Sequence, residues 1–313
     1  MRAKLERLLK IACVERWIDH RGYELLCMRF LFALVIHDSV SWSRTFSALP
    51  KPNGLAKLGW EPLNQALLFF GHKETLDVIR HAIWVPLAIY VAGIIPIPAI
   101  VSLLVVTVAT GTLENSDGGI GHSYQIVSLI LLAQLGSHIL TTVGERRTGP
   151  SPWLKPGLAA QNHATHLAKV TIAAAYVVCG VSKLIKSDFL WVMNSPLLSV
   201  QMTKANWREY YNTLELKDDF VTTRLPQLIV EYPNFARLFF GAGLALELGT
   251  LLALRGRRWA LAVGLSLVLF HSMLDWVMSL TFWTHMFCIV VFFVNVPGIR
   301  ESLREGKDGT TDL

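Results

Sequence analysis

Residues 259–296 read WALAVGLSLVLFHSMLDWVMSLTFWTHMFCIVVFFVNV, and Asp275 is the only Asp, Glu, Lys or Arg in the run. A bilayer core takes about 20 helical residues to cross. The stretch is therefore about twice a minimal span and reads as two short passes with a turn near Met278–Thr281. It follows the cluster Arg255-Gly256-Arg257-Arg258, which follows another apolar run, Ala236–Leu254. Basic punctuation between apolar spans is the pattern of a polytopic membrane protein. Composition agrees: of 313 residues, 52% are hydrophobic and 17% charged, against about 25% charged in soluble domains. Mean hydropathy is +0.43. These values exclude a disordered chain, a disulfide scaffold and an ordinary soluble α/β enzyme. The fold class expected is all-α, a polytopic integral membrane helical bundle of about eight transmembrane helices.

Outward from that run, further spans are expected over Tyr23–Trp42, Val78–Ile95, Ile97–Thr112, Ile120–Val143 and Leu167–Ile185. The sequence Ile95-Pro96-Ile97-Pro98 marks a tight turn or a kink. Residues 1–21 carry charges throughout, which excludes a signal peptide. Their Leu5, Leu8, Leu9, Ala12 and Cys13 recur at helical spacing, so an amphipathic N-terminal helix is expected, on the membrane surface or packed on the protein itself. The membrane domain covers residues 22–297, with extracytoplasmic loops at 49–77 and 187–235 and a polar tail at 298–313. With both termini cytoplasmic, the N-terminal arm, Arg146-Arg147, Arg255–Arg258 and Arg300–Arg304 fall on one side and the acidic 114–121 loop on the other. The net charge of +6 is thus topological and implies no nucleic acid. The expected setting is a bacterial-type inner membrane, with lipid as the partner of the outer faces. Four cysteines without a CxxC pair point to neither a disulfide framework nor a metal.

The chemistry is sought in polar residues that stand inside apolar spans, where a charge costs at least about 2.5 kcal/mol. Tyr176, Cys179 and Lys183 share one helix face. Lys183 is either a lysine snorkelling from a helix end or a desolvated amine kept as a free base. His122 opens a span in Gly121-His122-Ser123-Tyr124, as a contact to a polar ligand or as an interfacial histidine without a role. His271 and Asp275, four residues apart, form either a charge-stabilised pair or a structural clamp. Arg29 is expected to pair with Glu24 or a loop acid. His163 and His166 have metal-ligand spacing but no third ligand beside them, so no metal is expected.

Three of these segments, and the opening span besides, resemble the vitamin K-dependent γ-carboxylase and the wider HTTM (horizontally transferred transmembrane) family. That enzyme carries its catalytic lysine as the second Lys of Tyr-Phe-x-Ala-Gly-Val-Lys-Lys-Leu. Here Cys179-Gly180-Val181-Ser182-Lys183-Leu184 is similar, with Lys183 at the catalytic position, and Trp191 resembles a tryptophan that follows. Gly121-His122-Ser123-Tyr124 and the apolar run to Gln134 resemble its Asn-His-Ser-Tyr segment, with Gly121 in place of the asparagine. His271-Ser272-Met273 onward and Cys27-Met28-Arg29-Phe30-Leu31-Phe32 resemble a late and the opening span. The matches keep their order across residues 25–295.

The resemblance implies a membrane enzyme using a reduced quinone (a vitamin K-like hydroquinone), O2 and CO2, and no metal. Lys183 would deprotonate the hydroquinone, with His122 and Tyr176 beside it and His271, Asp275, Arg29 and Tyr124 as supporting polar groups. Reaction with oxygen would create a stronger base, able to take the γ-proton of a glutamate in a secreted or membrane peptide, and the carbanion would capture CO2. The family's large extramembrane part, which holds peptide substrates, has no counterpart before Leu313. The rival reading is a non-catalytic HTTM partner in the maturation or export of a secreted peptide. A transporter is a third, weakened by the lack of paired broken helices.

Overall fold

A computed structural model describes residues 19–41, 61–115, 123–145, 154–215 and 217–300. The expected N-terminal helix, His122, and the polar tail beyond residue 300 lie outside them. Among the described residues the regular structure is helical throughout, without a strand. Among the same residues six helices are long and apolar enough to cross a membrane: Glu74–Ala92, Pro96–Leu113, Gln125–Thr142, Leu158–Lys186, Pro233–Leu254 and Arg257–Met278. The chain is an all-α membrane-type protein.

The chain divides into two compact units. The first holds α1 (Gly22–Ser41), α2 (Glu61–Gly71), α3 (Lys73–Ala82), α4 (Trp84–Ala92), α5 (Pro96–Asn115), α6 (Ser123–Glu145) and the start of α7 (Leu158–Lys186). Its exposed side chains include Phe30, Leu34, Val105, Leu132 and Leu140, whereas Thr107, Thr110, Gln134, Ser137 and His138 are buried. A water-soluble bundle shows the opposite arrangement. Apolar outer faces with polar contacts inside suit a lipid surround, where the only partners for a polar group are other protein groups. Ser128 Oγ accordingly meets Thr107 Oγ1 at 3.3 Å, joining α5 to α6.

The Pro96 segment is a turn between helices. Gly93, at φ +68°, closes α4 by donating its N–H to the carbonyls of Ile89 and Tyr90. Pro96 then opens α5, where its missing N–H is not needed. The left-handed backbone at Gly93 suits glycine because no Cβ opposes it.

The second unit, over residues 173–294, holds the end of α7, α8 (Leu198–Thr213), α9 (Leu225–Glu231), α10 (Pro233–Leu248), α11 (Arg257–Met278) and α12 (Trp283–Ile289). Residues 187–235, read from sequence as a loop, contain two of these helices. Their polar composition lies on exposed faces, while Met202, Leu225 and Ile229 are buried against Ala236, Phe240, Val277 and Met278. Asn206 donates to the carbonyls of Val221 (3.3 Å) and Val277 (3.2 Å), tying α8 to the end of α11. The turn expected near Met278–Thr281 is present: α11 ends at Ser279, which is left-handed at φ +49°, and α12 starts at Trp283. The fifth span begins earlier than the apolar pattern, at Leu158, because its first turns bury Ala160, Asn162 and Ala164 rather than facing lipid.

Two close approaches position α10. A Cβ on Gly180 would lie 2.9 Å from Leu248 Cδ2, and one on Gly243 would lie 2.3 Å from Phe270 Cζ. Both glycines admit a large side chain from the neighbouring helix. Gly243→Ala is expected to displace the Phe270 ring and cost about 1–3 kcal/mol. A thermal melt of purified protein in detergent checks this; an unchanged midpoint would contradict the packing.

Candidate functional site

The end of α7 presents Tyr176 and Lys183 to α10 and α11. Because Gly180 lets α10 approach, Lys183 Nζ, one turn further on, forms an ion pair with Glu247 Oε1. Glu247 is buried and Lys183 is about a third exposed, at 34%. The ammonium also sits over the Trp191 ring, 5.2 Å from its centroid, a cation–π contact. Lys183, in the last turn of α7, is thus a partly exposed lysine held by a carboxylate and an indole.

Two turns earlier, Tyr176 OH meets His271 Nε2 at 2.6 Å. The ring of His271 is buried and lies beside those of Phe270 (5.8 Å) and Phe282 (4.8 Å). Two polar atoms in this region, Glu247 Oε2 and His271 Nδ1, are buried without a partner among the described residues. Buried polar atoms are nearly always bonded, so these two are open to a further donor or acceptor.

An apolar cavity of about 300 Å³ lies in the same unit, lined by residues that include Met202, Phe239, Phe240, Met273 and Trp276. Aromatic contacts connect its wall to the polar groups: Phe240 packs edge-on against Trp191, and Phe239 against Phe270.

Of the residues singled out from sequence, Lys183, Tyr176 and His271 come together here, with Trp191. Asp275 does not pair with His271. Its carboxylate accepts from Thr281 Oγ1 at 2.8 Å, at the turn that follows α11, while the histidine is bonded to α7. Arg29 does not pair with Glu24 either. Five residues apart, they lie on different faces of α1. Arg29 Nε donates to the Val91 carbonyl at 3.0 Å, and Nη1 donates to Gln161 Oε1. Tyr124 stands in the first turn of α6. His163 Nδ1 bonds Ser137 Oγ at 2.7 Å. Among the described residues no group of three or more His, Cys, Asp or Glu side chains could hold a metal ion.

Sequence reading missed Glu247, the partner that defines the state of Lys183. Its signal was present: a lone acid within Ala236–Leu254. A second buried polar centre was also missed, in the other unit. His20 Nε2 meets Lys169 Nζ at 2.9 Å, and its Nδ1 meets Glu24 Oε2 at 2.9 Å. Asn295 Nδ2 donates to the same carboxylate oxygen at 2.8 Å. His20, Glu24 and Lys169 are all buried, and the chain of bonds lets the charges of Lys169 and Glu24 compensate one another through the imidazole.

Comparison of the chain with protein-family models, with curated proteins and with solved structures finds no match.

Lys183→Met and Glu247→Leu are each expected to destabilise the protein by about 1–3 kcal/mol, since each leaves the other charge without its partner, and the double change to cost less than their sum. Thermal or denaturant melts of the four proteins measure the coupling; additive losses would show that the pair contributes nothing as a pair.

Proposed function

We propose that this chain is an integral membrane enzyme of the HTTM type, similar to the vitamin K-dependent γ-carboxylase. In this reading it couples oxidation of a reduced quinone by O2 to abstraction of a proton from a peptide glutamate, which is then carboxylated by CO2. The observation that carries the reading is the lysine at the family's catalytic position, held by Glu247 and Trp191 in a region with two orphan polar atoms.

The residues present suit a quinone. Glu247 Oε2 and His271 Nδ1 offer hydrogen-bonding positions to its oxygens, and Trp191, Phe270 and Phe282 offer aromatic faces. The apolar cavity is of the size that takes small ligands. When bound, a reduced quinone supplies the hydroxyl proton and the electrons that oxygen accepts.

The work of the protein is then to manage protons and exclude water. Lys183 and Glu247 face one another as a pair. In this reading the Lys183 amine takes the hydroxyl proton of the quinone, and the Glu247 carboxylate pairs with the ammonium that results. With Tyr176 donating to His271 Nε2, the imidazole proton sits on Nδ1 and can be donated to an oxygen. The rings around His271 shield that end of the site from water, which would help preserve a strong base.

The same reading completes the topology. Gly22–Ser41 and Trp283–Gly298 would add two crossings to the six, giving eight, with residues 1–21 as an interfacial helix and both termini in the cytoplasm of a bacterial-type cell. His122 would stand beside the quinone.

Lys183→Ala and Glu247→Gln are expected to lower reduced-quinone-dependent epoxide formation by about 10²-fold or more, with helical content unchanged by circular dichroism. No epoxide from the unsubstituted protein with several reduced quinones would overturn the reading.

The alternative is a non-catalytic HTTM partner in peptide maturation or export. The hydrogen bonds that join helices inside the first unit, Tyr90 to Gln134 and Ser128 to Thr107, favour it, because polar residues then serve as helix glue. In that case a cell carrying Lys183→Met should mature or export the peptide as before.

A further inference from the structure

The first unit contains a second place where polar groups lack partners, far in sequence from Lys183. Arg29, half-buried, lines a small pocket together with Tyr90, Gly93, Gln134, His138 and Gln161. Its Nε and Nη1 donate to the neutral oxygens of Val91 and Gln161. Nη2 has no partner among the described residues, and no carboxylate pairs with the guanidinium there. Glu24, the acid on the same helix, is bonded to His20 and Asn295 instead. A guanidinium inside a bundle with only neutral partners is a charge without compensation, which is costly.

Two further groups converge on the pocket. Tyr90 OH donates to Gln134 Oε1 at 2.9 Å. This orients the amide, and its nitrogen has no partner among the described residues. The ring nitrogens of His138 have none either. Gln134 and His138 are buried, at 4% and 7% exposed, and both line the pocket. Guanidinium, amide and imidazole are all groups that donate to oxygen. The backbone leaves room for the cation: a Cβ on Gly93 would lie 3.0 Å from Arg29 Cζ. The cavity measures about 20 Å³, on the scale of one or two water-sized groups. That admits the two oxygens of a carboxylate.

We propose that the pocket around Arg29, Gln134 and His138 is a binding site for a carboxylate. The guanidinium supplies the charge, and Nη2, the Gln134 amide nitrogen and one ring N–H of His138 supply donors to the two oxygens. The carboxylate has two possible sources, a small soluble acid such as bicarbonate or acetate and the head of a fatty acid within the bilayer. The site stands apart from the reading of Lys183, since none of its residues belongs to that unit.

The test uses the full chain in nanodiscs, followed by its thermal midpoint, because a ligand that binds the folded state raises it. Sodium acetate, bicarbonate and oleate are each titrated against sodium chloride at equal ionic strength, with inorganic phosphate as a further arm. A saturable rise with acetate or bicarbonate supports the site and assigns it to soluble acids. A rise with oleate alone supports it and assigns it to a lipid. Arg29→Gln is expected to weaken the response by 10-fold or more, and Gly93→Ala to weaken it by crowding the guanidinium. Should Arg29→Gln fail to fold, His138→Phe with the same titration replaces it. The absence of a saturable rise with every carboxylate, a rise with phosphate only, or an equal response in folded Arg29→Gln and His138→Phe proteins would overturn the proposal.

Discussion

The apolar outer faces of the helices impose the condition that the other features obey. Val105, Leu132, Val178 and Leu269 are exposed, so the surround is read as hydrocarbon, and a polar side chain there has no water to turn to. Each must be satisfied within the protein. In the buried His20–Glu24–Lys169 centre, charges of both signs are joined through an imidazole. Tyr90 with Gln134, and Ser137 with His163, meet it with neutral hydrogen bonds.

Against that background the exceptions carry the information. Glu247 Oε2 and His271 Nδ1 are buried and unbonded near Lys183. Arg29 is a cation among neutral oxygens. A fold under pressure to satisfy polar groups leaves such atoms open where something outside the chain completes them. Neither place is an accident of loose packing. The first is held by glycine contacts that bring α10 against α7 and α11, and the second by a left-handed turn at Gly93 that makes space for a guanidinium.

Much of the helical layout was legible because a span announces itself by length and hydropathy alone. The turn after α11 and the break at Pro96 were readable from single residues whose backbone limits are strong. Residues 187–235 were not. Their helices, α8 and α9, are amphipathic, with few apolar positions each, and only packing against Phe240 and Val277 shows which ones are buried. At the candidate site, Lys183 and Tyr176 were legible because they share a helix face. His271 was legible as a polar residue in an apolar span, but its partner was not, because spacing along α11 offered Asp275 and the ring turned to α7 instead.

By itself the sequence determined that this is a helical membrane-type protein, since hydrophobic content and run length depend on composition and order, not on contacts. It also determined that Lys183 stands on an apolar face with Tyr176, which follows from helical periodicity. Which charges meet was decided by tertiary structure alone. Lys183 and Glu247 are 64 residues apart, and they meet because Gly180 lacks the Cβ that would hold their helices away. Electrostatic partnership is a matter of a few ångströms, and only the packing of side chains between helices sets distances that fine.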